Sequence, residues 1–297
     1  MPSRSIVFVH AHPDDESINN GATMARYVAG GVRVTLVTCT RGDEGEVIPP
    51  DLAHLSSDRE DDLGSHRIGE LSAAMSAVGV TDHRWLGSEG RYRDSGMMGT
   101  SPNTAPGAFW SADLGEAADH LVGVLREIRP QVLVTYDDHG GYGHPDHIQA
   151  HRVTTYAAAL AAVPSYRTDL GAAWDVAKIY WNAFTASDVD EQTRRLVAAE
   201  AAGELPDGVE LPDFESYIAH RTCPDDAIAA RIDGTAVLDQ KKAAMAAHVT
   251  QIRVHGDLYA LSNNLGALVL PIESYRLAKG RSGAPDGLED DLFAGLD

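Results

Sequence analysis

Ile6-Val7-Phe8-Val9-His10-Ala11-His12-Pro13-Asp14-Asp15-Glu16 passes directly from an apolar run to two imidazoles and three carboxylates. The run predicts a buried strand over residues 5–9, followed by a turn that Pro13 stiffens. Like charges crowded this closely repel one another unless a cation holds them. A second polar cluster, His144-Pro145-Asp146-His147, follows a second apolar run, Val132-Leu133-Val134, through the glycine-rich segment 137–144. Both clusters therefore stand where strands hand over to helices, which is where open α/β sheets carry their active sites.

The intervening chain repeats strand, loop and helix. Strands are predicted over 5–9, 32–39, 83–86 and 131–136, with helices over 20–29, 62–78, 116–129 and 147–160. This alternation predicts an α/β, Rossmann-like fold: a mostly parallel sheet flanked by helices and joined by right-handed crossovers. In the common doubly wound order the first and fourth strands are neighbours, so the two polar clusters meet across one crevice. The long loops 40–61 and 87–113 rim that crevice, and loops of this length in an α/β domain are usually functional. Residues 1–165 read as the Rossmann-like catalytic core with the metal site. Residues 166–297 read as a smaller C-terminal portion that completes the sheet and caps the cleft. Within it a strand is expected over 177–181 and a helix over 235–247, residues 183–226 show no clean pattern, and the tail from 278 is glycine-rich and acidic.

At 297 residues and 43% hydrophobic content the chain can bury a proper core. The formal net charge of −20 argues against nucleic acid or an anionic membrane as partner, since both require basic patches. No signal peptide and no long apolar run is evident, so a cytoplasmic protein with a small-molecule substrate is expected. Cys39 and Cys223 are far apart and lack CxxC spacing, which disfavours a disulfide framework or thiolate zinc; Cys39 reads as a buried strand residue. There is no GxGxxG after the first strand, no GxSxG and no HExxH, so the commonest dinucleotide, serine-hydrolase and zincin signatures are missing. The sequence leaves the oligomeric state open.

Neutral imidazole and carboxylate are ligands for zinc or a similar divalent ion such as Fe2+. A hydrolytic site needs three of them and an open position for water. His12 and Asp15 lie three apart on the stiffened turn, and His144 and His147 share the same spacing in the second cluster. Asp14 and Asp15 are expected to divide the roles of metal ligand and proton acceptor between them. His10, at the last inward position of its strand, reads as a hydrogen-bonded structural histidine. Tyr142 carries a phenol that either polarises a carbonyl or covers the mouth of the site.

The AHPDDE segment Ala11 to Glu16 and the HPDH segment His144 to His147 resemble the signature of the N-acetylglucosaminylphosphatidylinositol de-N-acetylase superfamily. Residues 38–47, 90–97 and 260–264 resemble its actinobacterial branch of mycothiol biosynthesis. The resemblance covers most of the chain, weakest between about 163 and 250. It implies a zinc-dependent deacetylase that frees the amine of a pseudodisaccharide, N-acetylglucosaminyl-inositol. Carried onto matching positions, it implies His12, Asp15 and His147 as one zinc site per chain, Asp14 as general base, and His144 as a protonated partner for the oxyanion and the leaving amine. Asp146 would orient an imidazole from behind, while Arg67 and Asp94 would hold sugar or inositol hydroxyls. The nearest alternative is the S-conjugate amidase branch, where a lysine is expected after the first motif; Ile18-Asn19-Asn20 is uncharged. A related sugar N-deacetylase and a non-catalytic sugar-binding module are the remaining readings.

Overall fold

Successive residues of the first strand point to opposite faces, and both faces are apolar. In the computed structural model, which describes residues 4–215 and 221–296, β1 (Ser5–His10) packs Ile6 and Phe8 into one core and Val7 and Val9 into another. A strand covered on both sides belongs inside a parallel sheet. β1 accordingly lies between β2 (Arg33–Thr38) and β4 (Val132–Thr135), parallel to each. With β3 (Asp82–Trp85) outside β2 and β5 (Lys178–Ala183) outside β4, five parallel strands run in the order β3-β2-β1-β4-β5. Phe8 pairs with Val134, so the ends of β1 and β4 that launch the two polar clusters are side by side.

Helices α1 (Asp15–Ala29) and α2 (Leu63–Val78) cover the Ile6 and Phe8 face, while α3 (Leu114–Ile128) and α4 (Pro145–Ala161) cover the other. The second half of the chain adds α5 (Ala186–Ala202), β6 (Ala230–Asp233) and α6 (Leu238–Ala247). A separate three-stranded antiparallel sheet follows, formed by β7 (Arg253–His255), β8 (Leu258–Ala260) and β9 (Gly266–Leu268). Finally β10 (Ile272–Lys279) enters the main sheet antiparallel to β5, with β6 antiparallel at its far side, giving seven strands. Among the described residues no helix is long and apolar enough to cross a membrane.

Three elements differ from the sequence expectation. Helix α1 begins at Asp15 rather than near residue 20, because its first turns bury polar side chains with tertiary partners, Glu16, Ser17 and Asn20 among them, and so carry no apolar period. Helix α5 occupies a stretch with no evident pattern. It starts with a capping box between Thr185 and Asp188 and buries only Val189, Gln192 and Leu196. The acidic tail is also anchored: Leu292 and Phe293 are buried, and Glu289 is 1% exposed. The Glu289 carboxylate accepts from Lys178 Nζ and from the Gly283 N–H, both at 2.6 Å, and from the Tyr180 hydroxyl. Removing one partner of a buried ion pair strands the other charge, at about 3–5 kcal/mol. Glu289→Ala is expected to lose about that much stability in urea unfolding. A loss under about 1 kcal/mol, the range of a surface pair, would mean that water reaches Lys178.

Candidate metal and catalytic centre

The turn after β1 sets the geometry. Asp14 is the N-cap of α1, yet its φ of 116° lies in the left-handed region and its carboxylate accepts no capping hydrogen bond. Such a backbone costs a non-glycine residue roughly 1–3 kcal/mol. The carboxylate instead accepts from Arg67 Nη2 at 3.0 Å. Asp15, the first helical residue, lies between two imidazoles. Its Oδ2 accepts the His12 backbone N–H at 2.9 Å and stands 3.3 Å from His12 Nδ1, while its Oδ1 stands 3.3 Å from His147 Nε2.

Outer contacts orient the imidazoles. His12 Nε2 lies 3.2 Å from Asp146 Oδ2; burial lowers the proton affinity of this imidazole, but Asp94, Asp146 and Asp15 outweigh it and hold it well above the ordinary value, so a cation taken up at Nδ1 would displace a proton. His147 donates from Nδ1 to the Gly140 carbonyl at 3.1 Å, and its buried Nε2, on the Asp15 side, makes no hydrogen bond among the described residues. Gly140 must be glycine: at φ 69° an added Cβ would stand 2.7 Å from His147 Cβ. Asp146 is held in turn by the Ser95 N–H at 2.8 Å. Nitrogen atoms of His12, His144 and His147 lie within 4.8 Å of one another, as do ligand atoms of His12, Asp94 and Asp146. Neither of these two groups includes Asp15, which borders His12 and His147 at 3.3 Å each; buried imidazoles and carboxylates of this kind are a donor set that fits a divalent cation.

Charge is distributed unevenly across this cluster. Burial pushes the Asp14 carboxyl up to about 6, against the opposing pull of Arg67. Burial acts in the same direction on Asp15, but His147 and His12 outweigh it and hold Asp15 well below the ordinary carboxylate range. The two adjacent carboxylates are thus separated in proton affinity, one as a firm anion and one as an acceptor near neutrality. His144 packs against the His12 and His147 rings, with centroids 4.7 and 5.0 Å away. Burial, with His12 and His147 beside it, drives its imidazole down to about 2, and its Nδ1 accepts the Asp146 N–H at 3.2 Å. With Nδ1 accepting, the proton of a neutral His144 stands on Nε2.

A cleft of about 480 Å³ opens over the cluster, and every residue given a catalytic, metal-binding or substrate-binding role from sequence lines it except Asp146, which lies behind His12. Tyr142 stands on the single helical turn Gly140–Gly143, its ring edge-on to His147 at 5.0 Å and stacked under the Arg221 guanidinium at 4.5 Å. Arg67 is 2% exposed, and its guanidinium holds the Gly42 carbonyl at 2.8 Å, the Pro13 carbonyl and Asp14. Gly42 admits this approach because any Cβ would overlap Arg67 Nη1. Asp94 accepts from the Gly96 and Glu44 N–H groups and stands 3.5 Å from His12 Nε2, so it borders the imidazoles directly. His10 turns away from the cluster, to Asn20 at 2.8 Å and the Tyr136 hydroxyl at 3.1 Å. Asn182, Gln251 and Arg276 also line the cleft and went unnoticed in the sequence, since each lies in a segment without motif or period; Asn263, which lines it too, falls in the 260–264 segment that carries the resemblance.

Residues 7–158 match the family described as GlcNAc-PI de-N-acetylase (PIG-L). The chain is 58% identical over 295 residues to the 1D-myo-inositol 2-acetamido-2-deoxy-alpha-D-glucopyranoside deacetylase of Geodermatophilus obscurus, covering 99% of each. Among solved structures it resembles the N,N'-diacetylchitobiose deacetylase of Pyrococcus horikoshii, with a TM-score of 0.56 at 18% identity over 84% of this chain and 71% of that one. A hydratase of Pseudomonas putida, GalB, gives a TM-score of 0.57 at 15% identity over 94% and 97%, so the fold by itself does not select a reaction. The family match and the near full-length identity do select a lineage: this chain belongs to the GlcNAc-PI de-N-acetylase family, whose members are metal-dependent deacetylases.

Proposed function

We propose that this chain hydrolyses the acetamide of N-acetylglucosaminyl-inositol to glucosaminyl-inositol and acetate, using zinc held by His12, Asp15 and His147. The observation that supports this reading is that Asp14 and His144 line one cleft together with His12, Asp15 and His147. When bound, the cation supplies Lewis acidity, polarising the acetamide carbonyl and making water a stronger acid.

The residues perform the proton chemistry. Asp14 is ionised at neutral pH and takes the proton that water releases as its oxygen bonds to the carbonyl carbon. His144 donates from Nε2 to the carbonyl oxygen as negative charge develops there, and the Tyr142 phenol, kept protonated by burial, is a second donor in the same cleft. As the C–N bond breaks, Asp14 returns its proton to the nitrogen, so that a neutral amine leaves. Asp146 orients the His12 ring throughout. Arg67 and Asp94 border the sugar position, and Arg67 also fixes Asp14.

The test compares acetate release from N-acetylglucosaminyl-inositol with cysteine-amide cleavage of the corresponding S-conjugate by the purified protein. Acetate release is expected to dominate. Faster conjugate cleavage would move the assignment to the amidase, and no turnover of either in the metal-loaded protein would leave a binding module.

A further inference from the structure

We propose that Glu16 and His248 form a buried positioning pair that holds Asp14 in its strained conformation and thereby aims the base; this rests on the reading of Asp14 as that base. Three observations converge. Asp14 has the left-handed backbone described above, which persists only where surrounding contacts enforce it. Its N–H donates to Glu16 Oε2 at 2.9 Å, a side chain reaching back from the first turn of α1. The other oxygen of that carboxylate, Oε1, accepts from His248 Nε2 at 2.8 Å and from the Ser17 hydroxyl at 2.5 Å. Glu16, Ser17 and His248 are all fully buried.

His248 comes from the far end of the chain, at the C-cap of α6. Its carbonyl receives the N–H groups of Gln251 and Ile252 at 2.9 and 2.8 Å, which closes a turn. That turn is tied to the cleft wall: Thr250 donates from N and Oγ1 to Glu70 of α2, and Gln251 Nε2 donates to the Glu46 carbonyl. The pair therefore clamps the Asp14 backbone from behind while Arg67 fixes its carboxylate in front. An ion pair that served only to join α1 to α6 would have no reason to engage the N–H of this one residue. His248 Nδ1, buried and without a hydrogen-bond partner among the described residues, marks a side chain selected for its Nε2 contact rather than for satisfied packing.

The test measures kcat, KM and cation content for Glu16→Gln, His248→Ala and His248→Gln in the metal-loaded full chain, each alone and combined with Asp14→Asn. Misplacing a reacting group by about 1 Å costs up to roughly a hundredfold. Glu16→Gln and His248→Ala are accordingly expected to lower kcat about ten- to a hundredfold, with KM and cation content unchanged. His248→Gln, whose amide still donates to Glu16, recovers most of the loss. Once Asn replaces Asp14 there is no base left to aim, so the same changes cost nothing further. An undiminished loss in that background, or a loss expressed in KM or cation content, would overturn the pair's role. Should His248→Ala fail to fold, Glu16→Gln, which conserves volume, gives the same decision. Full turnover by Asp14→Asn alone would instead remove the base assignment, and the pair's purpose with it.

Discussion

Asp14→Asn is expected to reduce kcat by about 10²- to 10⁴-fold, the usual cost of deleting a general base, while the protein keeps its cation. The amide is nearly isosteric with the carboxylate, so its oxygen can still accept from Arg67 Nη2, now 3.0 Å from Asp14, and the turn need not rearrange. What disappears is a group that burial has tuned to about 6. Asp15→Asn is expected to behave in the opposite way, because Asp15 lies 3.3 Å from both His12 and His147 and its firm negative charge is what draws a cation to them. Kinetics with N-acetylglucosaminyl-inositol, read beside elemental analysis of each variant, separate the two. Cation loss in Asp14→Asn with retention in Asp15→Asn would exchange their roles.

Stripping the cation is expected to abolish turnover, and zinc added back to about one equivalent per chain should restore it. Three buried carboxylates, Asp15, Asp94 and Asp146, surround His12, and neutralising such a cluster favours the folded state as well as the reaction. A ligand that binds only the folded chain adds about 4 kcal/mol at a thousandfold excess over its Kd, so thermal unfolding should move upward with zinc. Full turnover in protein verified to be free of metal would refute the mechanism.

The central sheet was legible because a strand buried on both faces is continuously apolar, as at Ile6 to Val9 and Val132 to Val134, and because strand-to-helix loops in such sheets carry chemistry. His12, Asp14, Asp15, His144 and His147 stood out because so many charges in so few residues have few other uses. The far wall of the cleft was illegible for the converse reason. Asn182 and Arg276 are isolated polar residues whose meaning comes only from β5 and β10 pairing beside β4, and Gln251 is brought in by the turn after α6. The surroundings of His144 were also beyond the sequence, since burial and the nearby His12 and His147 rings pull its proton affinity down and the N–H of Asp146 occupies its Nδ1. Arg67 was recognised as a cleft residue, but its burial against Gly42 and Pro13 depends on how the loop after β2 closes over α2.

The order of the strands also sets a timetable for synthesis. When the ribosome has delivered α4, every proposed zinc ligand has emerged and β1 has both its neighbours, yet β4 still exposes an open edge that β5 will fill about twenty residues later. β10, which pairs with β5, is made after β6 and enters the sheet between the two. The nascent protein thus acquires the means to capture metal well before it has a wall against which to hold a sugar. Until the last strand docks, its unpaired edges are what a chaperone would have to shield.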